Sequence, residues 1–128
     1  MSNQFTNLQG SQHFISLAQA IEMTSRFRNE KENILAPEYK DKGILPICET
    51  FGRDAIDTLL AQTGCVALRV YGGMSANLDV RYIIVGVNAL GEDMLPQGES
   101  ASKILTEPTI VEDGIRCPTT CPPGSPLN

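Results

Sequence analysis

The chain has no tryptophan, one histidine, four Phe and three Tyr. A stacking platform for single-stranded nucleic acid needs more aromatic faces than that. Basic residues are scarce as well: 10 Lys and Arg stand against 15 Asp and Glu, a net charge of −5. Nucleic-acid binders normally carry a basic surplus, so no nucleic-acid partner is expected. The single histidine, His13, excludes HExxH and His-triad metal sites. It lies in a polar stretch beside no nucleophile motif, so no catalytic residue is named. Long hydrophobic runs are missing too. Residues 82–87 form one of the longest, far too short to cross a bilayer. Residues 1–14 hold no Lys or Arg and no apolar run, so neither a secretory signal nor a membrane partner is expected. A cytoplasmic location follows as the expectation, with signal-less export to the outside as the other route.

What is present is enough for one core. The chain has 128 residues, 41% of them hydrophobic. That length suits one domain, and folding should bury roughly two-thirds of the surface the unfolded chain exposes. A polar arm is expected over residues 1–13, a single α+β domain over 14–112, and a tail rich in Pro and Cys over 113–128. The tail holds four of the eight prolines.

Local signals place the elements. Ser16 and Gln19 have the spacing of a capping box. Leu17, Ala20, Ile21, Thr24 and Phe27 recur at helical spacing, which predicts a helix over residues 16–31. Residues 32–49 have no clean period and form a long connection, with a short extended piece at Ile44 and Leu45. A second helix is expected over 52–62. Ala55, Ile56, Leu59 and Leu60 form its stripe, Phe51 can staple onto Ile56, and Gly64 follows as a left-handed cap. From Cys65 the period becomes two. Residues 65–71 and 79–87 read as antiparallel strands joined by a turn over 72–77. Asn88 to Gly91 reverses the chain with positive φ at Gly91, Glu92 to Leu95 begins a third strand, residues 96–100 are loop, and residues 109–112 form an edge strand. Helices before strands suit two helices packed on a three- to four-stranded antiparallel sheet.

Both faces of the hairpin are apolar. Val66, Leu68 and Val70 share one side of the first strand; Cys65, Ala67, Arg69 and Tyr71 share the other. In the second strand Val80, Tyr82 and Ile84 alternate with Arg81, Ile83 and Val85. A sheet with one wet side should alternate apolar and polar residues. Two helices cover one face, so the other needs the long connection, the tail or another protein. Covering about 400 Å² of apolar surface is worth about 10 kcal/mol before association costs. The expectation is a non-enzymatic structural or interaction protein that self-assembles. Ala67, Tyr71, Val80, Tyr82 and Ile84 form its assembly face, with the terminal segments assisting. The partner is another copy: two-fold contacts give a dimer, and head-to-tail contacts that do not close give a filament.

Two other readings rest on particular residues. Arg69, Tyr71, Arg81 and Tyr82 gather near one end of the hairpin, where forked guanidinium donors and phenols suit an anion or carboxylate ligand. Cross-strand Arg–Tyr pairing is the plainer account of them. Cys117 and Cys121 form a CxxxC that closes a small disulfide, remains two thiols, or chelates a metal. Cys48 and Cys65 lack the spacing to complete a zinc knuckle, and Pro118 and Pro122 forbid the helix of a thioredoxin-like site. No cofactor is expected. Gly72 and Gly73 match no phosphate-loop pattern and read as a turn. Asp54, Asp57, Glu92, Asp93, Glu112 and Asp113 read as solvated surface.

Overall fold

The computed structural model describes residues 10–96 and 109–128. Residues 1–9 of the expected arm and residues 97–100 of the expected loop lie outside them. The described residues form an α+β protein with two α-helices and antiparallel sheets of four and two strands. In chain order these are α1 (Leu17–Glu30), β1 (Cys48–Thr50), α2 (Arg53–Leu60), β2 (Cys65–Met74), β3 (Val80–Asn88), β4 (Asp93–Met94), β5 (Ile110–Val111) and β6 (Ile115–Cys117). Short 3-10 turns lie at Gly10–His13 and Pro37–Tyr39.

The chain divides into two compact units. One comprises Phe51–Gly72 and the described part of Tyr82–Asp113; the other comprises Gly10–Thr50, Gly73–Arg81 and Gly114–Asn128. β2 and β3 each continue from one unit into the other.

The first unit is organised around β3. β2 pairs with one edge of β3. The other edge is shared: β4 pairs with Gly86 and Val87, and β5 with Ile84 and Val85. A strand with neighbours on both sides and apolar residues on both faces belongs in a core. Ile84, Val85 and Val87 are accordingly buried, together with Leu59 of α2. α2 packs against β5, and Leu59 is its one buried residue. Of its expected stripe, Ala55 and Ile56 are half-buried and Leu60 is exposed. The reversal after β3 is held by Asn88, whose Oδ1 accepts from the Leu90 and Glu92 N–H groups at 2.9 and 3.0 Å. Gly91 has φ +82°, as its place in that turn predicts.

Gly86 is closely approached by the residues that lead from α2 into β2. A Cβ at that position would lie 2.8 Å from Gln62 Nε2, 3.1 Å from Cys65 Sγ and 3.5 Å from the Leu59 carbonyl oxygen. Gly86→Ala is therefore expected to lower unfolding stability by about 1–3 kcal/mol, read in urea titrations. An unchanged midpoint would mean that the α2 end yields freely.

The second unit joins the segment from Gly10 onward to the tail. α1 opens on the expected capping box. The Ser16 hydroxyl accepts from the Gln19 N–H at 3.1 Å, and Gln19 Oε1 accepts from the Ser16 N–H at 2.9 Å. No residue of α1 is fully buried. Ala20, Ile21, Thr24 and Phe27 are half-buried, while Leu17, expected in the same stripe, is exposed. At the far end of α1, Arg28 donates to the Leu127 carbonyl. β1 and β6 pair in the register Cys48↔Cys117, Glu49↔Arg116 and Thr50↔Ile115. Ile44, Pro46 and Cys117 are buried.

Two expectations are corrected. The extended piece in the long connection is at Cys48–Thr50, not at Ile44 and Leu45, because its partner β6 lies in the tail. The Pro- and Cys-rich tail thus contributes a strand at residues 115–117. The hairpin turn is not over residues 72–77, since β2 runs through both glycines to Met74. The reversal is made by Ser75, whose Oγ accepts from the Asn77 and Asp79 N–H groups, with Leu78 at φ +70°. A hydroxyl able to bond the next backbone amides outweighs the permissiveness of two glycines.

Candidate functional site

In the first unit, two of the four residues expected to bind a ligand carboxylate, Arg69 and Tyr71, bind one supplied by the chain. Arg69 Nη1 of β2 lies 2.5 Å from Asp93 Oδ1 of β4 and 3.2 Å from the Gly91 carbonyl oxygen. The Tyr71 hydroxyl donates to Asp93 Oδ2. Arg69 and Tyr71 are two apart on one strand and so share a face. Asp93 is the cross-strand partner of Val87, so its side chain shares that residue's face. The two long side chains thus reach across β3 to the strand beyond it.

The electrostatics follow the bonds. The Tyr71 hydrogen bond, opposed by desolvation and helped by Arg69, holds the Asp93 carboxyl below its usual range. The same Asp93 contact raises the Tyr71 phenol. A lowered acid stabilises the fold fully above the ordinary Asp value of about 3.9, and that contribution is lost as pH falls through the lowered value. A raised phenol stabilises fully below about 10, and that contribution is lost as pH rises through the raised value. The unfolding midpoint should therefore fall in both outer ranges. Asp93→Asn should flatten both arms relative to the parent. Unchanged arms in the variant would show that the clasp does not govern them.

Arg81 and Tyr82 do not join this clasp. Tyr82 is half-buried. Arg81 belongs to the second unit, where it lines an open cleft of about 280 Å³ with Arg116, Thr119 and Thr120. Of the expected assembly face, Ile84 is in the core at 7% exposure; Ala67, Val80 and Tyr82 are half-buried; Tyr71 is exposed and engaged with Asp93. The exposed apolar row is on the other side of β2, at Val66, Leu68 and Val70, with exposures of 52%, 37% and 60%. Among the described residues, no strand pairs the outer edge of β2.

The second unit holds an ion pair for which the sequence offered little signal. The Glu49 side chain is 1% exposed, and Oε1 lies 3.8 Å from Arg116 Nε. Among the described residues, neither carboxylate oxygen of Glu49 has a hydrogen-bond partner. Arg116 Nη2 is shared among the carbonyls of Gly43, Ile44 and Val80, each 3.2 Å away. The only hint was one charge of each sign in the middle of two three-residue segments, too short to show a period.

Cys117 and Cys121 form a disulfide with Cα atoms 4.7 Å apart; Cys48 and Cys65 are free. Among the described residues, no group of three or more His, Cys, Asp or Glu is placed to hold a metal ion. His13 is exposed. No helix among them is long and apolar enough to cross a membrane. Comparison with protein families, with curated proteins and with solved structures finds no match to this chain.

Proposed function

We propose that the protein is a non-enzymatic structural or interaction protein that associates with copies of itself through β2. The observation that carries this reading is the exposed row Val66, Leu68 and Val70 on a ten-residue strand whose outer edge has no partner among the described residues. Such edges are templates for further pairing, and monomeric proteins blunt them with Lys, Pro, bulges or short length. β2 is long and contains neither Lys nor Pro. Its one charged residue, Arg69, is turned to the opposite face and bound to Asp93.

Pairing of β2 with β2 of a second copy, antiparallel about a two-fold axis, would satisfy both edges and bring two apolar rows side by side. A closed dimer follows; a filament requires a second contact in addition. The partner in this reading is the same chain, with neither nucleic acid nor membrane involved. The ligand-binding reading is less well supported, because Asp93 already takes Arg69 Nη1 and the Tyr71 hydroxyl. Of the two locations expected, the Cys117–Cys121 disulfide favours an oxidising one over the cytosol.

The test is molar mass by light scattering across a wide concentration series. The reading predicts a mass that rises from one chain to two; a single-chain mass throughout would end it.

A further inference from the structure

Three of the four cysteines meet at one place in the second unit. Cys48 and Cys117 are direct cross-strand partners in the β1–β6 pair, and the Cys117 sulfur is bonded to Cys121. The Ile47 N–H donates to the Cys117 carbonyl at 2.8 Å, tying the start of β1 to that residue. Direct antiparallel partners have Cα atoms about 4.5–5.5 Å apart, within the span a disulfide bridges. A free thiol is thus held beside a formed disulfide, on the same face of a two-stranded sheet.

Burial decides which sulfur can be attacked, and by what. Cys117 is 0% exposed, so a thiol from solution cannot approach its sulfur. Cys48 is already on the inside, half-buried and free. Holding a nucleophile beside its target replaces a bimolecular encounter with a step inside one molecule.

We infer that Cys48 and Cys121 compete for Cys117, giving the protein two alternative disulfides and an internal thiol–disulfide switch. The Cys48 thiol loses its proton to solvent, and its thiolate attacks Cys117 Sγ. The Cys48–Cys117 bond forms, the Cys117–Cys121 bond breaks with its electron pair on Cys121, and the Cys121 thiolate takes up a proton. Two thiol-state electrons enter the new bond as two leave the old, so no outside oxidant or reductant is consumed.

The two states differ in what they hold. The Cys117–Cys121 bond closes a short loop within the tail. The Cys48–Cys117 bond staples β1 to β6 and closes a far longer loop, which restricts the unfolded chain more. It also leaves Cys121, half-buried in the tail, as the free thiol. This switch does not depend on self-association, and a monomer would carry it equally.

The experiment uses the full oxidised chain at neutral pH without denaturant. Samples are acid-quenched over time, free thiols are alkylated, and peptides are mapped without reduction. Two species are expected: a Cys117–Cys121 form alkylated at Cys48, and a Cys48–Cys117 form alkylated at Cys121. Cys65, in the other unit, is the common free-thiol reference in both. Cys48→Ser, checked for native circular dichroism, is expected to lose Cys121 alkylation altogether. Absence of the Cys48–Cys117 peptide from the native chain would overturn the proposal. So would Cys121 alkylation that persists in a folded Cys48→Ser variant. If that variant does not fold, the map of the native chain decides alone.

Discussion

Arg116→Ala is expected to destabilise the protein by about 3–5 kcal/mol, the usual cost of stranding one half of a buried ion pair. The Glu49 side chain is 1% exposed and has no hydrogen bond among the described residues, so Arg116, 3.8 Å away, is the opposite charge it is buried with. Removing Arg116 also strips a donor from the carbonyls of Gly43, Ile44 and Val80. The companion variant discriminates the causes. Glu49→Leu combined with Arg116→Leu removes both charges and should be markedly less damaging than Arg116→Ala, because no lone ion remains. Urea denaturation followed by circular dichroism measures both. A double variant as unstable as Arg116→Ala would assign the effect to the lost carbonyl contacts instead.

If copies pair through β2 as proposed, Leu68→Lys is expected to weaken that pairing by a factor of a hundred or more, about 3 kcal/mol. Lysine on an edge strand is a common natural device against pairing, and a two-fold contact presents each lysine to a second β2 carrying another. Leu68 is 37% exposed, so the folded chain should tolerate the charged tip, which can reach water. The outcome is a sedimentation coefficient that stays at one chain where the parent has begun to pair, with an unfolding midpoint close to the parent's. If Leu68→Lys pairs as strongly as the parent, the apolar row of β2 is not the contact.

How far these features could be read in advance depended on the range of the interaction. The capping box of Ser16 and Gln19 and the positive φ of Gly91 are settled within four residues, and both occur as expected. The strands flanking Ser75 were visible in their period. Their turn was misplaced because Gly72 and Gly73 are permissive in any conformation, whereas the Ser75 hydroxyl dictates one. The β1–β6 pair was invisible: each strand has three residues, and their register joins distant parts of the chain. Glu49, Arg116 and the Cys48–Cys117 pairing went unseen with it.

The candidate site was legible in part, for the same reason. Arg69 and Tyr71 stood out as long polar side chains two apart in an apolar strand. Their partner Asp93 read as ordinary surface, because only the fold brings β4 within reach of β2. Alternation correctly grouped Val66, Leu68 and Val70 on one face. It could not tell which face of β2 would remain outward, since both were apolar.

Amide hydrogen exchange along β2 tests the account most directly, because it reads the edge where the copies are proposed to join. The amides of residues 66–70 that point away from β3 should be protected in concentrated protein and should exchange rapidly after dilution, while those of residues 84–87 in β3 stay slow in both. Exchange at residues 66–70 that is equally fast at every concentration would contradict it.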